Sequence, residues 1–268
     1  MCIFTPINTS ATKKDCLTTL RQKRYNYFML KLKNITAKAE SQEVFDNISL
    51  EVKKGEIHAI MGPVHSGKSA LAHLITGHPG VRITEGDLYW GRKKIQNLSP
   101  KERNELGIYI SFQFPPEFES ITNYELITEF FKPYEVDPAD LELKYKTCCA
   151  LLDLSEQHGD VTPSITSMSL NQAKRNELIY MMLSSPELII LDEIDQGLTD
   201  EQVVLVATIL RDYIKEKERS CIVITHSKEL LNILQPTHVH VMVDGEIKMS
   251  GNEELYKRII EDGYSEFS

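Results

Sequence analysis

The sequence predicts an α/β protein built on a parallel sheet that helices cover on both faces. Three segments, "EIHAIM" (56–61), "ELIILDE" (187–193) and "SCIVITH" (220–226), contain continuous apolar runs. Such runs lack the alternation of half-buried strands and are typical of strands buried on both faces. Helical patterns lie between the later runs, and strands that alternate with helices favour parallel pairing.

Other segments of the first half of the chain predict further strands. Residues 29–39 and 44–52 alternate apolar and polar side chains, as half-buried strands do. Residues 86–91 predict an edge strand, and the apolar, β-branched segment 107–114 predicts a further strand.

The middle of the chain is predicted to be helical, and a hairpin is predicted near its end. Residues from about 120 to 185 have helical patterns, with a break at 161–167. The segment 238–251 reads as two strands joined at Asp244-Gly245, a dipeptide that favours a two-residue hairpin turn.

A glycine-rich loop follows the first buried run. The stretch "MGPVHSGKSALAHL", Met61–Leu74, fits the pattern G-x-x-x-x-G-K-S. Backbone N–H groups of such a loop curl around phosphates, and the next helix points its positive end at them. The lysine reaches the outer phosphates and the serine hydroxyl ligates Mg²⁺, so the loop predicts ATP and Mg²⁺ as cofactors. The predicted nucleotide-binding residues here are Gly62, Pro63, Val64, His65, Ser66, Gly67, Lys68, Ser69 and Ala70, with Ser69 also a metal ligand.

Two acids end the second buried run. Asp192 and Glu193 follow "LIIL" directly, and ligands of parallel sheets bind at the carboxyl ends of strands. We expect Asp192 to hold Mg²⁺ through water and Glu193 to polarise the attacking water as catalytic base. The alternative is a pair of exposed acids at a strand end, without a catalytic role.

Two more polar residues follow predicted strands. Gln113 is expected to contact both Mg²⁺ and the attacking water, which makes it a candidate metal ligand and catalytic residue. His226 ends the third run and is expected to hydrogen-bond the γ-phosphate. The alternatives are a loop glutamine and a structural histidine.

In this order, the loop, the glutamine, the acid pair and the histidine make the chain resemble the ABC-type ATPases. The resemblance covers residues 28 to 268. It implies a RecA-like parallel core with an antiparallel β subdomain and a helical subdomain at about 114–185. It also implies ATP hydrolysis and a nucleotide-dependent dimer, formed with itself or with a related ATPase.

Within that family the chain resembles SufC most, the ATPase of the SUF iron–sulfur cluster assembly system. The strings "FQFPPE" and "KRNEL" and the tail "IIEDGY" carry this resemblance. It implies SufB/SufD-like scaffold proteins as partners, which ATP-driven dimerisation would reshape. The alternatives are the ATP-binding subunit of an ABC membrane transporter and a pseudo-ATPase that binds nucleotide only as a structural ligand.

The chain departs from the family pattern near the nucleotide. Val64 and His65 replace Asn and Gly in the loop. In the signature "MSLNQ" (168–172), Ser169 is retained as a predicted nucleotide contact, while Leu170 and Asn171 replace both glycines. Glycines let backbone N–H groups approach an anion closely, so we expect slow hydrolysis.

Composition restricts partners and location. The formal net charge of −9 disfavours nucleic acid as the main partner, and no apolar run approaches the roughly 20 residues of a membrane span. Five cysteines without a C-x-x-C pattern favour a reducing compartment, and hence the cytoplasm. Residues 1–27 form a basic extension rich in Ser and Thr. As a transit peptide it would direct the protein to an organelle stroma or matrix, and otherwise it is a surface or disordered extension.

Overall fold

The computed structural model of the chain describes residues 28–40, 42–111, 123–134, 136–154 and 169–267. Predictions for the extension 1–27, for Gln113 and for the break at 161–167 therefore lie outside the described residues. In chain order, the described strands are β1 (Phe28–Ala39), β2 (Gln42–Lys53), β3 (Ile57–Met61), β4 (Val81–Trp90), β5 (Lys93–Lys94), β6 (Ile108–Ser111), β7 (Leu188–Asp192), β8 (Ser220–Ile224), β9 (His238–Val243) and β10 (Glu246–Gly251).

The α-helices of the described residues alternate with the strands of the core and also fill the middle of the chain. In chain order they are α1 (Lys68–Thr76), α2 (Pro100–Glu105), α3 (Asn123–Phe131), α4 (Pro138–Leu151), α5 (Leu170–Ser184), α6 (Asp200–Glu216), α7 (Lys228–Leu234) and α8 (Glu253–Asp262). None of these helices is both long enough and apolar enough to cross a membrane.

The chain divides into two compact units. The described parts of the first unit lie within 28–111 and 186–267 and contain all of the strands given above. Those of the second lie within 123–185 and are helical.

The first unit contains the predicted parallel sheet, in the order β10-β9-β3-β8-β7-β6. Strands β9, β3, β8, β7 and β6 are parallel, and only β10 pairs antiparallel, with β9. Every residue of β3, β7 and β8 is buried, which explains their continuous apolar sequences. The predicted α/β fold is confirmed, and so is the hairpin: Asp244 (φ 47°) and Gly245 (φ 75°) form its turn.

The same unit contains a second, antiparallel sheet of order β2-β1-β4-β5. The expectation of an edge strand at 86–91 was wrong. Strand β4 begins earlier, at Val81, and lies between β1 and the two-residue strand β5. Residues 81–87 are all exposed or half-buried. Val81 and Ile83 are the apolar ones among them, which is too short an alternation to predict the start of the strand. Strand β5 adds only the pairs Tyr89 with Lys94 and Trp90 with Lys93.

In the second unit, buried amides and phenols join the three helices. The Asn123 side-chain oxygen accepts hydrogen bonds from Asn176 Nδ2 at 2.9 Å and from the Tyr180 hydroxyl at 2.6 Å. Asn123 Nδ2 also lies 3.2 Å from the Tyr145 hydroxyl. These bonds link the start of α3 to α4 and α5. They also satisfy the polar groups, which are stable in a protein interior only when they are paired.

Candidate functional site

The predicted phosphate loop connects the end of β3 to the start of α1. Its first glycine, Gly62, lies against the neighbouring strand, since a Cβ built there would be 2.0 Å from the Met242 carbonyl oxygen. Near its middle, His65 has a φ of 65°, in the left-handed region that favours glycine. Val64 is 78% exposed at the tip of the loop. The loop thus has the sharp backbone turns of a phosphate cradle, one of them at a non-glycine residue.

Lys68 crosses this loop from the first turn of α1. Its ammonium donates to the carbonyl oxygens of Gly62 at 2.8 Å and Pro63 at 2.7 Å, and to Ser66 Oγ at 3.3 Å. Burial lowers the pKa of Lys68, and the negative charges of Glu193 and Asp192 oppose that shift. The predicted lysine and the predicted acids therefore lie in one electrostatic environment.

The two acids stand at the end of β7. Asp192 is its last residue and is buried. Glu193 has a φ of 50°, and its backbone N–H donates to the carbonyl oxygen of Ile224 on the neighbouring strand β8 at 2.9 Å. A left-handed φ at a residue other than glycine costs about 1–2 kcal/mol. Such strain persists where the surroundings hold the backbone firmly, and it is common at active sites.

The oxygen groups at this edge of the sheet suit Mg²⁺. Ser69, in the first turn of α1, offers a hydroxyl, and Asp192 offers a buried carboxylate. Both are hard oxygen ligands of the kind that Mg²⁺ prefers. The positive charge of Lys68 lies near Asp192.

His226 follows β8 and lies at the exposed rim of the same edge. Desolvation lowers its pKa, the charge of Lys68 lowers it further, and Glu193 and Asp195 oppose the shift. Its Nδ1 lies 3.1 Å from the Tyr264 hydroxyl. The neighbouring Thr225 hydroxyl donates to Asp195 Oδ1 at 2.7 Å, which ties the segment after β8 to the segment after β7.

The structure thus brings together Lys68, Asp192, Glu193 and His226, with Ser69 in the same first helical turn as Lys68. Half-buried Ala70 follows them inside α1. Gln113 lies outside the described residues. Ser169 belongs to the other unit, where its Oγ accepts the Gln172 backbone N–H at 3.3 Å and caps α5.

The two residues that replace the signature glycines open helix α5. Leu170 is 41% exposed. Asn171 Oδ1 accepts a hydrogen bond from Arg175 Nε at 3.2 Å, one turn further along the helix. Neither substituted side chain is therefore needed to fill the core of its own unit.

Sequence reasoning did not identify two contacts of the loop. Met242, on β9, presents its carbonyl oxygen to Gly62, and no side-chain pattern indicates such a backbone contact. Tyr264, near the end of the chain, contacts His226 and hydrogen-bonds the Gly62 backbone. Tyr264 belongs to the string "IIEDGY", which carries a resemblance to SufC but does not by itself predict a site residue.

Comparisons with known proteins show the family of this chain. The ABC transporter family model matches residues 45–196. The "probable ATP-dependent transporter slr0075" of Synechocystis is 37% identical over 245 residues, which cover 88% of this chain and 94% of that protein. "Vegetative protein 296" of Bacillus subtilis is 30% identical over 241 residues, with 88% and 91% covered.

Solved structures show the same fold. A nucleotide-free ATP-binding cassette of an ABC transporter superposes with a TM-score of 0.72 and 26% identity, over 88% of this chain and 96% of that one. The ADP conformation of another such cassette, MJ1267, has a TM-score of 0.71 and 26% identity, over 88% and 95%. The chain therefore belongs to the ABC transporter family as an ATP-binding cassette, and the cassettes of this family are ATPases.

Proposed function

We propose that this cassette is a slowly hydrolysing ATPase subunit of a SUF-type iron–sulfur cluster assembly complex. The ATPase part of this proposal rests on one observation: Lys68, Glu193 and His226 lie near one another at one edge of the parallel sheet. Lys68 supplies a cation for the outer phosphates, Glu193 a carboxylate that polarises water, and His226 an imidazole that can donate to the γ-phosphate.

Bound Mg²⁺ supplies charge neutralisation for the phosphates, and Ser69 and Asp192 are the residues that would hold it. Gln113 completes this set in our proposal, as metal ligand and water contact. We further assign residues 28–268 to the cassette, about 114–185 to its helical subdomain and 1–27 to an N-terminal extension.

The second half of the proposed site comes from another cassette. Ser169 and the start of α5 would approach the nucleotide held by a partner cassette, identical or related. Support comes from solved cassettes described as dimeric, one of them bound to ADP and Pi, although at 22–23% identity they share only the fold with this chain. Leu170 and Asn171 add side chains at this point, which is why we propose slow turnover.

The SUF assignment rests on the strings "FQFPPE", "KRNEL" and "IIEDGY", with SufB/SufD-like scaffold proteins as the proposed partners. The described cysteines, Cys148, Cys149 and Cys221, are buried and not disulfide-bonded, which agrees with a reducing location such as the cytoplasm or an organelle stroma. The second candidate is an ABC membrane transporter subunit, which the names of the relatives favour.

Identifying the proteins that co-purify with this chain decides between these two candidate functions. The full chain, tagged at its C-terminus and expressed in its own cells, should retain scaffold proteins of the SufB/SufD type. Recovery of a membrane permease instead would contradict the SUF assignment. Phosphate release by the purified chain, with and without the recovered partner, then separates an ATPase from a module that only binds nucleotide.

A further inference from the structure

Tyr264 reaches the phosphate site from the far end of the chain. Helix α8 ends at Asp262, and Gly263 turns the chain with a φ of 73°. An ion pair between Arg258 Nε and Glu266 Oε1 at 2.9 Å holds the segment that follows, and Phe267 is buried. The half-buried Tyr264 is thus fixed on both sides.

The Tyr264 hydroxyl bridges two parts of the site. It lies 3.1 Å from His226 Nδ1, and the two rings meet edge to face with centroids 6.1 Å apart. The Gly62 backbone also hydrogen-bonds this hydroxyl, an interaction that lowers the Tyr264 pKa against the larger effect of burial, which raises it. One oxygen therefore connects the start of the phosphate loop to the histidine after β8.

The direction of the bond between Tyr264 and His226 is set by the histidine tautomer. A backbone N–H can only donate, so the Tyr264 oxygen accepts from Gly62 and keeps its own hydroxyl proton for a second partner. An unprotonated His226 Nδ1 is an acceptor for that proton at 3.1 Å, and in this arrangement the imidazole proton of a neutral His226 is on Nε2. The lowered pKa of His226 agrees with a neutral ring near pH 7.

We propose that Tyr264 is a positioning residue for ATP hydrolysis: its hydroxyl holds His226 as the Nε2–H tautomer, aimed to donate to the γ-phosphate. This inference rests on the proposed role of His226 in hydrolysis. Without the hydroxyl, the ring would exchange tautomers and rotate, and the fraction able to donate would fall. Tyr264 would therefore affect the stability of the transition state for hydrolysis, and Lys68 would determine the binding of the nucleotide in the ground state.

Tyr264→Phe tests this, because it keeps the ring and removes only the hydroxyl. We expect kcat for ATP to fall about tenfold, while KM changes less than twofold. The matched control is Tyr256→Phe on α8, whose hydroxyl bonds Asn232 Oδ1 at 2.7 Å. Tyr256→Phe should leave kcat unchanged. An equal loss in both variants would overturn the proposal, because it would show a general effect of the tail.

A double-mutant cycle tests whether Tyr264 acts on hydrolysis through His226. In a His226→Ala background, Tyr264→Phe should cause no further loss of kcat, since the histidine it positions is gone. An additional tenfold loss in that background would contradict the proposal.

A nitrogen NMR measurement on the full chain needs no activity. With ¹⁵N-labelled histidine, the signal of His226 should show a protonated Nε2 and an unprotonated Nδ1, and Tyr264→Phe should mix the two tautomers. An unchanged tautomer in Tyr264→Phe would refute the inference. If instead hydrolysis is insensitive to both His226→Ala and Glu193→Gln, the proposed function fails, and the NMR result still decides the role of Tyr264.

Discussion

The backbone N–H of Glu193 donates to the carbonyl oxygen of Ile224 at 2.9 Å, and Glu193 takes a left-handed φ of 50°. This bond extends the β7–β8 ladder by one step beyond Asp192, which pairs with Ile224 in the register. The proposed base and the segment leading to His226 are thus fixed to each other by the backbone. The strained backbone at Glu193 is held by the sheet rather than by a flexible loop.

Lys68 is predicted to contribute to the affinity for ATP. Lys68→Ala removes the ammonium that reaches the loop and lies near both acids, and ATP affinity should fall at least about tenfold, or roughly 1.4 kcal/mol. Titration with a fluorescent ATP analogue measures this, with the exposed Lys101→Ala on α2 as the control. Equal affinity in all three proteins would contradict the role of Lys68.

Restoring the signature glycines should raise the rate of ATP hydrolysis and lower the stability of the fold. Leu170→Gly with Asn171→Gly should raise single-turnover hydrolysis at least about tenfold, if side chains at this helix start hinder the partner's nucleotide. The same change removes the Asn171–Arg175 hydrogen bond and puts two glycines in helix α5, so the free energy of unfolding should fall by about 1–2 kcal/mol.

The control for that pair is Leu170→Ala with Asn171→Ala. It removes the bulk but retains a Cβ at both positions, so its rate should rise less than that of the glycine pair. A glycine pair no faster than the parent protein would show that the signature does not limit turnover.

His65 should be a source of strain in the loop. Its φ of 65° is one that glycine adopts freely and other residues adopt at about 1–2 kcal/mol. After the extra chain entropy of glycine is subtracted, His65→Gly should raise the free energy of unfolding by about 0.5–1 kcal/mol. His65→Ala serves as control, since alanine keeps the strain. Urea denaturation that ranks alanine above glycine would contradict this explanation.

Two buried histidines should make the protein acid-sensitive. His58 on β3 and His240 on β9 lie 3.0 Å apart between Nδ1 and Nε2, and the chain of bonds ends at Glu56 and Ser250. Burial lowers the pKa of His58 to about 4 and that of His240 to about 3. The hydrogen bond to Glu56 opposes the shift of His58, and the neighbouring His238 adds to both shifts.

The number of protons bound by the folded and unfolded chains decides how stability changes with pH. Below the unfolded pKa of about 6.5, the unfolded chain binds protons that the folded chain does not, so the free energy of unfolding falls with decreasing pH. The loss should extend from about pH 6.5 down to the folded pKa of each residue, about 4 for His58 and about 3 for His240, at up to about 1.4 kcal/mol per pH unit for each histidine. His240→Gln should reduce that slope, because it removes one of the two buried imidazoles. A slope unchanged by His240→Gln would contradict the assignment.

Sequence patterns predicted the parallel core because its strands are buried on both faces, as in β3, β7 and β8. They also located Lys68, Asp192, Glu193 and His226, since strand ends and the loop motif share one edge of such a sheet. The early start of β4 was missed because Val81 and Ile83 are its only apolar residues before Leu88, and both are only half-buried. The place of Tyr264 was missed because its contacts join segments that are far apart in the chain.

The most direct test of the proposed catalytic site is single-turnover hydrolysis by Glu193→Gln beside the parent protein, with the exposed Glu187→Gln as control. Glutamine keeps the size of the side chain but cannot accept the proton of the attacking water. The account predicts that Glu193→Gln still binds Mg·ATP, accumulates as an ATP-bound dimer and loses at least about a hundredfold in rate. Hydrolysis by Glu193→Gln at the parental rate would contradict it, because the base would then lie elsewhere.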